Sequence, residues 1–95
     1  MRMKRRSEEL IIFQILDICA NGAGKTRIVY QANLNSQRVD YYLSNLIKNG
    51  LITSEARGSK VGYKITDKGM QLKEKLQRLQ NEMEEMHNSL FDAEA

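Results

Sequence analysis

Six apolar residues near the end of this 95-residue chain, Leu72, Leu76, Leu79, Met83, Met86 and Leu90, follow one another at intervals of 4, 3, 4, 3 and 4. That is the 3.5-residue repeat of a coiled-coil seam; a helix lying only on its own domain shows a broader stripe of period 3.6. At the usual rise the seam is about 28 Å long. The preceding part of the chain is too short to cover it. The pattern therefore predicts one long helix, from about Thr66 or Asp67 to about Leu90, paired with a second copy of the chain.

Charge along this helix predicts how the two copies pair. Its first half carries Lys68, Lys73, Lys75 and Arg78 against Glu74, and its second half Glu82, Glu84, Glu85 and Asp92. Parallel pairing sets like beside like, whereas antiparallel pairing sets each basic half beside an acidic one, for example Lys75 near the partner's Glu82. Each exposed pair contributes only a few tenths of a kcal/mol, but several of one sign select an orientation. An antiparallel homodimer is expected. His87 falls on the flank of the seam.

The rest of the chain carries the opposite charge. Residues 1–68 hold 12 Lys and Arg against 6 Asp and Glu, and residues 69–95 hold 3 against 6. A basic head and an acidic tail divide the chain into residues 1–68, a polyanion-binding part with a basic N-terminal arm (Arg2, Lys4, Arg5 and Arg6), and residues 69–95, a dimerisation helix. Such an arm can follow a phosphate backbone or enter a minor groove.

Within the head, helix one is expected from Ser7, a capping residue followed by Glu8 and Glu9, to a stop near Asn21-Gly22. Its apolar residues, among them Ile15, Leu16 and Cys19, fill more than one stripe, so it is the central core helix. Gly22-Ala23-Gly24 reads as a flexible turn, and Thr26 as the cap of a short helix whose Ile28, Val29 and Ala32 face inward. The string GAGKT resembles a phosphate-binding loop, but that loop needs a glycine where Cys19 stands and a strand in front. After an Asn33-Leu34-Asn35 turn, Ser36 to Ile52 reads as a further helix capped by Ser36 and closed by Gly50, with Val39, Leu43, Leu46 and Ile47 as its dry stripe.

The opposite face of that helix presents Gln37, Arg38, Tyr41 and Asn45. Amides can pair with adenine, guanidinium with guanine, and the phenol with a phosphate or a thymine methyl. Two helices joined by a tight turn, the second with a polar front, form a helix-turn-helix. Leu51–Glu55 and Tyr63–Thr66 then read as a hairpin whose basic loop, Ala56 to Gly62, is too long for a two-residue turn. The fold class expected is mainly α (α+β): a winged helix-turn-helix with a long C-terminal coiled-coil dimerisation helix.

These residues look familiar. KTRIVYQANLNSQRVDYYLSNLIKNGLI, a wing, GYKITDKG and a leucine-seamed terminal helix resemble the archaeal ten-kilodalton winged-helix, chromatin-associated DNA-binding proteins, from about Glu8 to Leu90. The most specific stretches are Lys25 to Ile28, Ala32 to Leu34 and Tyr63 to Gly69. The resemblance implies duplex DNA as ligand, the Ser36 helix and the wing as contact surface, and an antiparallel coiled-coil dimer holding two heads apart.

The expected function is double-stranded DNA binding as a homodimer, in transcription regulation or chromatin. The expected contacts are Lys25, Thr26 and Arg27 at the short helix, Ser36, Gln37, Arg38, Tyr41, Asn45 and Lys48 on the next, and Arg57, Lys60 and Lys64 on the wing. The competing reading is a protein-interaction winged helix in which the coil is the working part. Enzymatic activity, a metal, a cofactor and a membrane partner are not expected. No paired carboxylates, no nucleophile beside a histidine and no metal set stand together, and no stretch approaches the roughly 18 apolar residues of a membrane span. RNA fits poorly, because the few aromatic residues are expected mostly in the core. A lone cysteine and the absence of a leader-type apolar stretch suggest an intracellular protein, and the resemblance implies a cytoplasmic, nucleoid-associated one.

Overall fold

The computed structural model describes residues 6–91. Helices α1 (Glu8–Ile18), α2 (Lys25–Ala32), α3 (Ser36–Lys48) and α4 (Asp67–Phe91) enclose a small antiparallel sheet of β1 (Ala23–Gly24), β2 (Ile52–Arg57) and β3 (Lys60–Ile65). The strand order is β1-β3-β2. This is a winged helix-turn-helix with a long terminal helix. No helix among the described residues is long and apolar enough to cross a membrane.

Ser7 caps α1, its Oγ accepting from the Leu10 N–H at 3.1 Å, with Glu8 and Glu9 in the favourable first turn. The helix tightens into a 3₁₀ turn at Cys19–Asn21 and stops at Gly22, whose φ of 90° suits glycine. Ala23 and Gly24 are not a free turn: they pair with Tyr63 and Gly62 as a third strand. Two residues are too few to show alternation, which is why local pattern does not announce this strand. Gly24, not Thr26, caps α2, and it does so without a side-chain bond. Asn33, at φ 56° and ψ 52°, ends α2 in the left-handed region that Asn tolerates.

The cap of α3 is likewise one residue earlier than expected. Asn35 Oδ1 accepts from the Arg38 N–H at 2.8 Å, which makes Ser36 the first helical residue. The dry stripe is Val39, Tyr42, Leu43 and Leu46; Ile47 is exposed and the ring of Tyr42 takes the inward place. Together with Ile11, Ile15, Leu16 and Cys19 of α1, Ile28 and Ala32 of α2, Leu34, Ile52, Ile65 and Leu76, these side chains make one continuous core. The hairpin is tighter than its composition suggests. Arg57 pairs with Lys60, leaving a two-residue Gly58-Ser59 turn with Gly58 at φ 63°. Positive φ at the first turn position alone belongs to a type II′ turn, which Gly-Ser satisfies.

The N-terminal arm falls largely outside the described residues. Arg6, its last member, is not free: its guanidinium donates to Gln14 Oε1 at 2.7 Å, to the Ala32 carbonyl, and to the Asn33 carbonyl at 2.9 Å. It thereby satisfies carbonyls left open at the end of α2 and joins them to α1.

Thr66 ties α4 to the end of α3. Its Oγ1 donates to the Gly50 carbonyl at 2.6 Å and accepts from the Gly69 N–H at 3.0 Å, and Lys68 Nζ donates to the Asn49 carbonyl at 2.9 Å. Lys73 pairs with Asp17 of α1 at 3.1 Å. The head's core reaches into α4 as far as Leu76, with Leu72 packed half-buried against it. Beyond that the seam leaves the head: Leu79, Met83, Met86 and Leu90 are 45%, 59%, 61% and 72% exposed.

Candidate nucleic-acid interface

The outer face of α3 is built by the same periodicity that buries its inner one. With Val39, Tyr42, Leu43 and Leu46 inside, Ser36, Gln37, Arg38, Tyr41, Asn45 and Lys48 are all exposed. The Arg38 guanidinium carbon lies 6.0 Å from the centroid of the Tyr42 ring, which in turn meets Tyr41 edge-on at 5.2 Å. The buried ring thus limits where the arginine can swing. Asn45 Nδ2 donates to the Tyr41 carbonyl at 2.8 Å. That bond uses one of the two amide N–H groups and fixes the side chain against the helix, leaving the other N–H and Oδ1 to pair with a base edge.

The wing presents its cations on one face. Strand register places Thr53, Glu55 and Arg57 opposite Lys64, Gly62 and Lys60, and Ile52, Ser54 and Ala56 opposite Ile65, Tyr63 and Val61. Ile52 and Ile65 enter the core, so Arg57, Lys60 and Lys64 share the opposite, outward face. A shallow groove of about 360 Å³ is lined by Gly22 to Gly24, Arg27 and the wing, including Arg57, Lys60 and Lys64. The third strand is what brings Arg27 to the wing. Glu55, with an oxygen 3.7 Å from Arg57, is the acid that the groove contains.

Thr26 is exposed in the first turn of α2. Lys25 is engaged differently from the other candidates: its Nζ lies 2.7 Å from Asp40 Oδ1 on α3. Two residues stood outside the sequence expectation. Asp40 is an acid on α3, and its contact with Lys25 depends on the packing of α2 on α3, which no local spacing displays. Tyr30 is 78% exposed on α2, and Tyr41 is also exposed, so the aromatics are not mostly core residues. Tyr30 was accessible to periodicity, because it follows Arg27 by three residues while Ile28 and Ala32 face inward.

Other chemistry is thinly represented. Burial raises the Cys19 thiol from 9.0 to about 11, the behaviour of a core hydrophobe and not of a nucleophile. Among the described residues no group of three or more His, Cys, Asp or Glu side chains is placed to hold a metal ion. His87 is exposed on α4 and stacks at 4.6 Å on Phe91.

Comparison with known proteins agrees with this architecture. An uncharacterized protein of Methanocaldococcus jannaschii is 37% identical over 79 residues, covering 82% of this chain and 77% of that protein. Sso10a-2, a DNA-binding protein from Sulfolobus solfataricus, superposes with a TM-score of 0.86 at 27% identity, over 94% of both chains. The PcaV transcriptional regulator from Streptomyces coelicolor shares the fold, with a TM-score of 0.79 at 16% identity over 88% of this chain and 65% of that one. The profile of the winged helix-turn-helix family matches residues 5–84, and the chain belongs to that family.

Proposed function

We infer that this protein binds double-stranded DNA as a homodimer, with α3 in the major groove and the wing along the backbone. The observation that carries the reading is the exposed polar face of α3, Gln37, Arg38, Tyr41 and Asn45, flanked by a separate cationic groove from Arg27, Arg57, Lys60 and Lys64. Base edges are read by the first set and phosphates are neutralised by the second. Thr26 and Ser36, at the first turns of their helices, add backbone-directed contacts, and Lys48 extends the cationic surface along α3. The likeness to Sso10a-2, described as a DNA-binding protein, supports the same reading.

Dimerisation follows from the four apolar residues that α4 leaves in water. Leu79, Met83, Met86 and Leu90 are spaced symmetrically about a point between residues 84 and 85. An antiparallel pairing that sets Leu79 against the partner's Leu90, and Met83 against the partner's Met86, buries all four. Because Leu72 and Leu76 already serve the head, this register replaces the one that would bring Lys75 to the partner's Glu82. It overlaps residues 79–90, whose charged side chains are Glu82, Glu84 and Glu85, so burial of the four apolar residues, and not charge, carries the pairing. The two heads then stand at opposite ends of the coil.

The test is a gel-shift series on random duplex DNA at rising salt. Binding through several phosphates gives an affinity that falls steeply, by about 0.9 in log K per log salt for each contact. An affinity flat between low and moderate salt overturns the assignment. The exposed seam also suits the second reading, a protein-interaction module, which predicts no duplex binding at any salt.

A further inference from the structure

Asp40 is the sole acid of α3, and it stands at the α2-facing edge of the exposed face that the proposed function turns toward DNA. A carboxylate there faces a dense row of phosphates. In the free protein its charge is cancelled by Lys25 Nζ at 2.7 Å, both side chains remaining open to solvent at 59% and 36%. A pair so exposed contributes little to holding α2 on α3. It is also weak enough for a phosphate oxygen to compete for the ammonium. Lys25 opens α2 behind Gly24, whose missing side chain leaves the first amides of the helix uncapped. A phosphate drawn to those amides would meet Lys25 only if Lys25 abandoned Asp40, leaving a bare carboxylate against the duplex.

We propose that Asp40 is a specificity-determining residue that restrains indiscriminate binding, by holding Lys25 away from the phosphate backbone. The inference rests on the DNA-binding reading and deepens it. On a duplex that offers nothing to the carboxylate, the Lys25–Asp40 pair stays closed and one cation is withheld. Only a donor on the duplex can take the place of Lys25, and in the major groove that donor is an exocyclic amine, such as the N4 amine of cytosine. Asp40 therefore lowers affinity for duplexes in general and removes one phosphate contact from the salt dependence.

A double-mutant cycle tests this on the full chain, with random-sequence duplex DNA as the probe. Asp40→Asn keeps shape and removes charge, and is expected to bind random duplex about three- to tenfold more tightly at low salt, with the slope of log K against log salt steeper by about 0.9. Lys25→Gln is expected to leave the wild-type slope unchanged, since Lys25 contacts no phosphate there. In the double variant the steepening caused by Asp40→Asn should vanish, because the released lysine is gone. The inference is overturned if Asp40→Asn leaves the slope as it was. It is equally overturned if the steepening persists without Lys25, which would mark a general charge effect. These failures are distinct from failure of the underlying reading, which would appear as wild-type protein that does not bind duplex DNA at all.

Discussion

The backbone of Gly69 lies so close to Leu51 that a Cβ placed on it would stand 2.1 Å from the Leu51 carbonyl oxygen and 2.7 Å from Ile65 Cγ1. That carbonyl is fixed, because it accepts from the Thr66 N–H at 3.1 Å. The glycine is therefore required by the approach of α4 to the chain leaving α3, although alanine is the better helix former by about 1 kcal/mol. Gly69→Ala is expected to destabilise the fold by about 2 kcal/mol, the overpacking cost exceeding the propensity gain. Thermal melting should show a midpoint lower by about 10 °C. An unchanged or raised midpoint would mean that the helix can shift outward without loss.

The same region shows what a sequence displays and what it hides. The apolar periodicity of α3 and the seam of α4 were legible because they repeat, and Ser7, Asn33 and Gly50 because each is a residue type selected by a local backbone geometry. Contacts between segments distant in sequence were not. Gly69 carries no local mark of its role, since nothing near it in sequence names Leu51. The strand at Ala23–Gly24 is too short for a pattern, and the Gly58-Ser59 turn lay hidden in a run of turn-forming residues. The candidate site divides the same way. The exposed residues of α3 and the basic wing followed from spacing and charge, whereas the engagement of Lys25 by Asp40 and of Arg6 by the end of α2 arises from packing.

Arg57 and Lys60 face each other across the root of the wing turn, and on the DNA-binding reading both meet phosphates. Replacing both with glutamine should weaken binding to every duplex alike and reduce the magnitude of the salt slope by about 1.8. Glu55 would lose the guanidinium beside it, so the loss should exceed that of Lys60→Gln combined with removal of an exposed lysine elsewhere. Gln37→Ala supplies the contrast: it should change the ranking among sequences and leave the salt slope as it was. Competition titrations against a panel of duplexes measure both. A uniform effect from Gln37 and a sequence-dependent one from the wing would reverse the assigned roles.

Cys19 gives the fold a dependence on alkaline pH. Burial holds its thiol at about 11 in the folded chain against an ordinary value of 9.0, so the unfolded chain releases the proton first. The sign follows from linkage: this contribution to stability is complete below pH 9 and is lost as pH rises from there through 11. Urea midpoints measured between about pH 8 and 11 should fall more steeply for the wild type than for Cys19→Ala, whatever the other groups contribute to both. At about pH 8 an alkylating reagent should label Cys19 only as fast as the core opens. Rapid labelling of the folded protein would contradict the burial.

The orientation of the two copies is decided by which residues meet along α4. In the antiparallel register, Leu79 of one protomer lies opposite the partner's Leu90, and two copies of Leu79 are separated by 11 residues along the coil, about 16 Å. A disulfide needs Cα atoms within about 7 Å. Leu79→Cys and Leu90→Cys, each oxidised alone, should therefore remain uncrosslinked, while an equimolar mixture forms a covalent heterodimer. A parallel coil predicts the reverse, with each variant linking to itself. Buried Cys19 does not compete, and on the dimer reading the Met83 and Met86 layers between the two positions would hold the pairing while the bond forms. Self-linking of Leu79→Cys would place both heads at the same end of the coil. Placing aspartate at Leu79 and Met83 should abolish the dimer in sedimentation and, through the loss of bivalent engagement, weaken DNA binding by about a hundredfold or more.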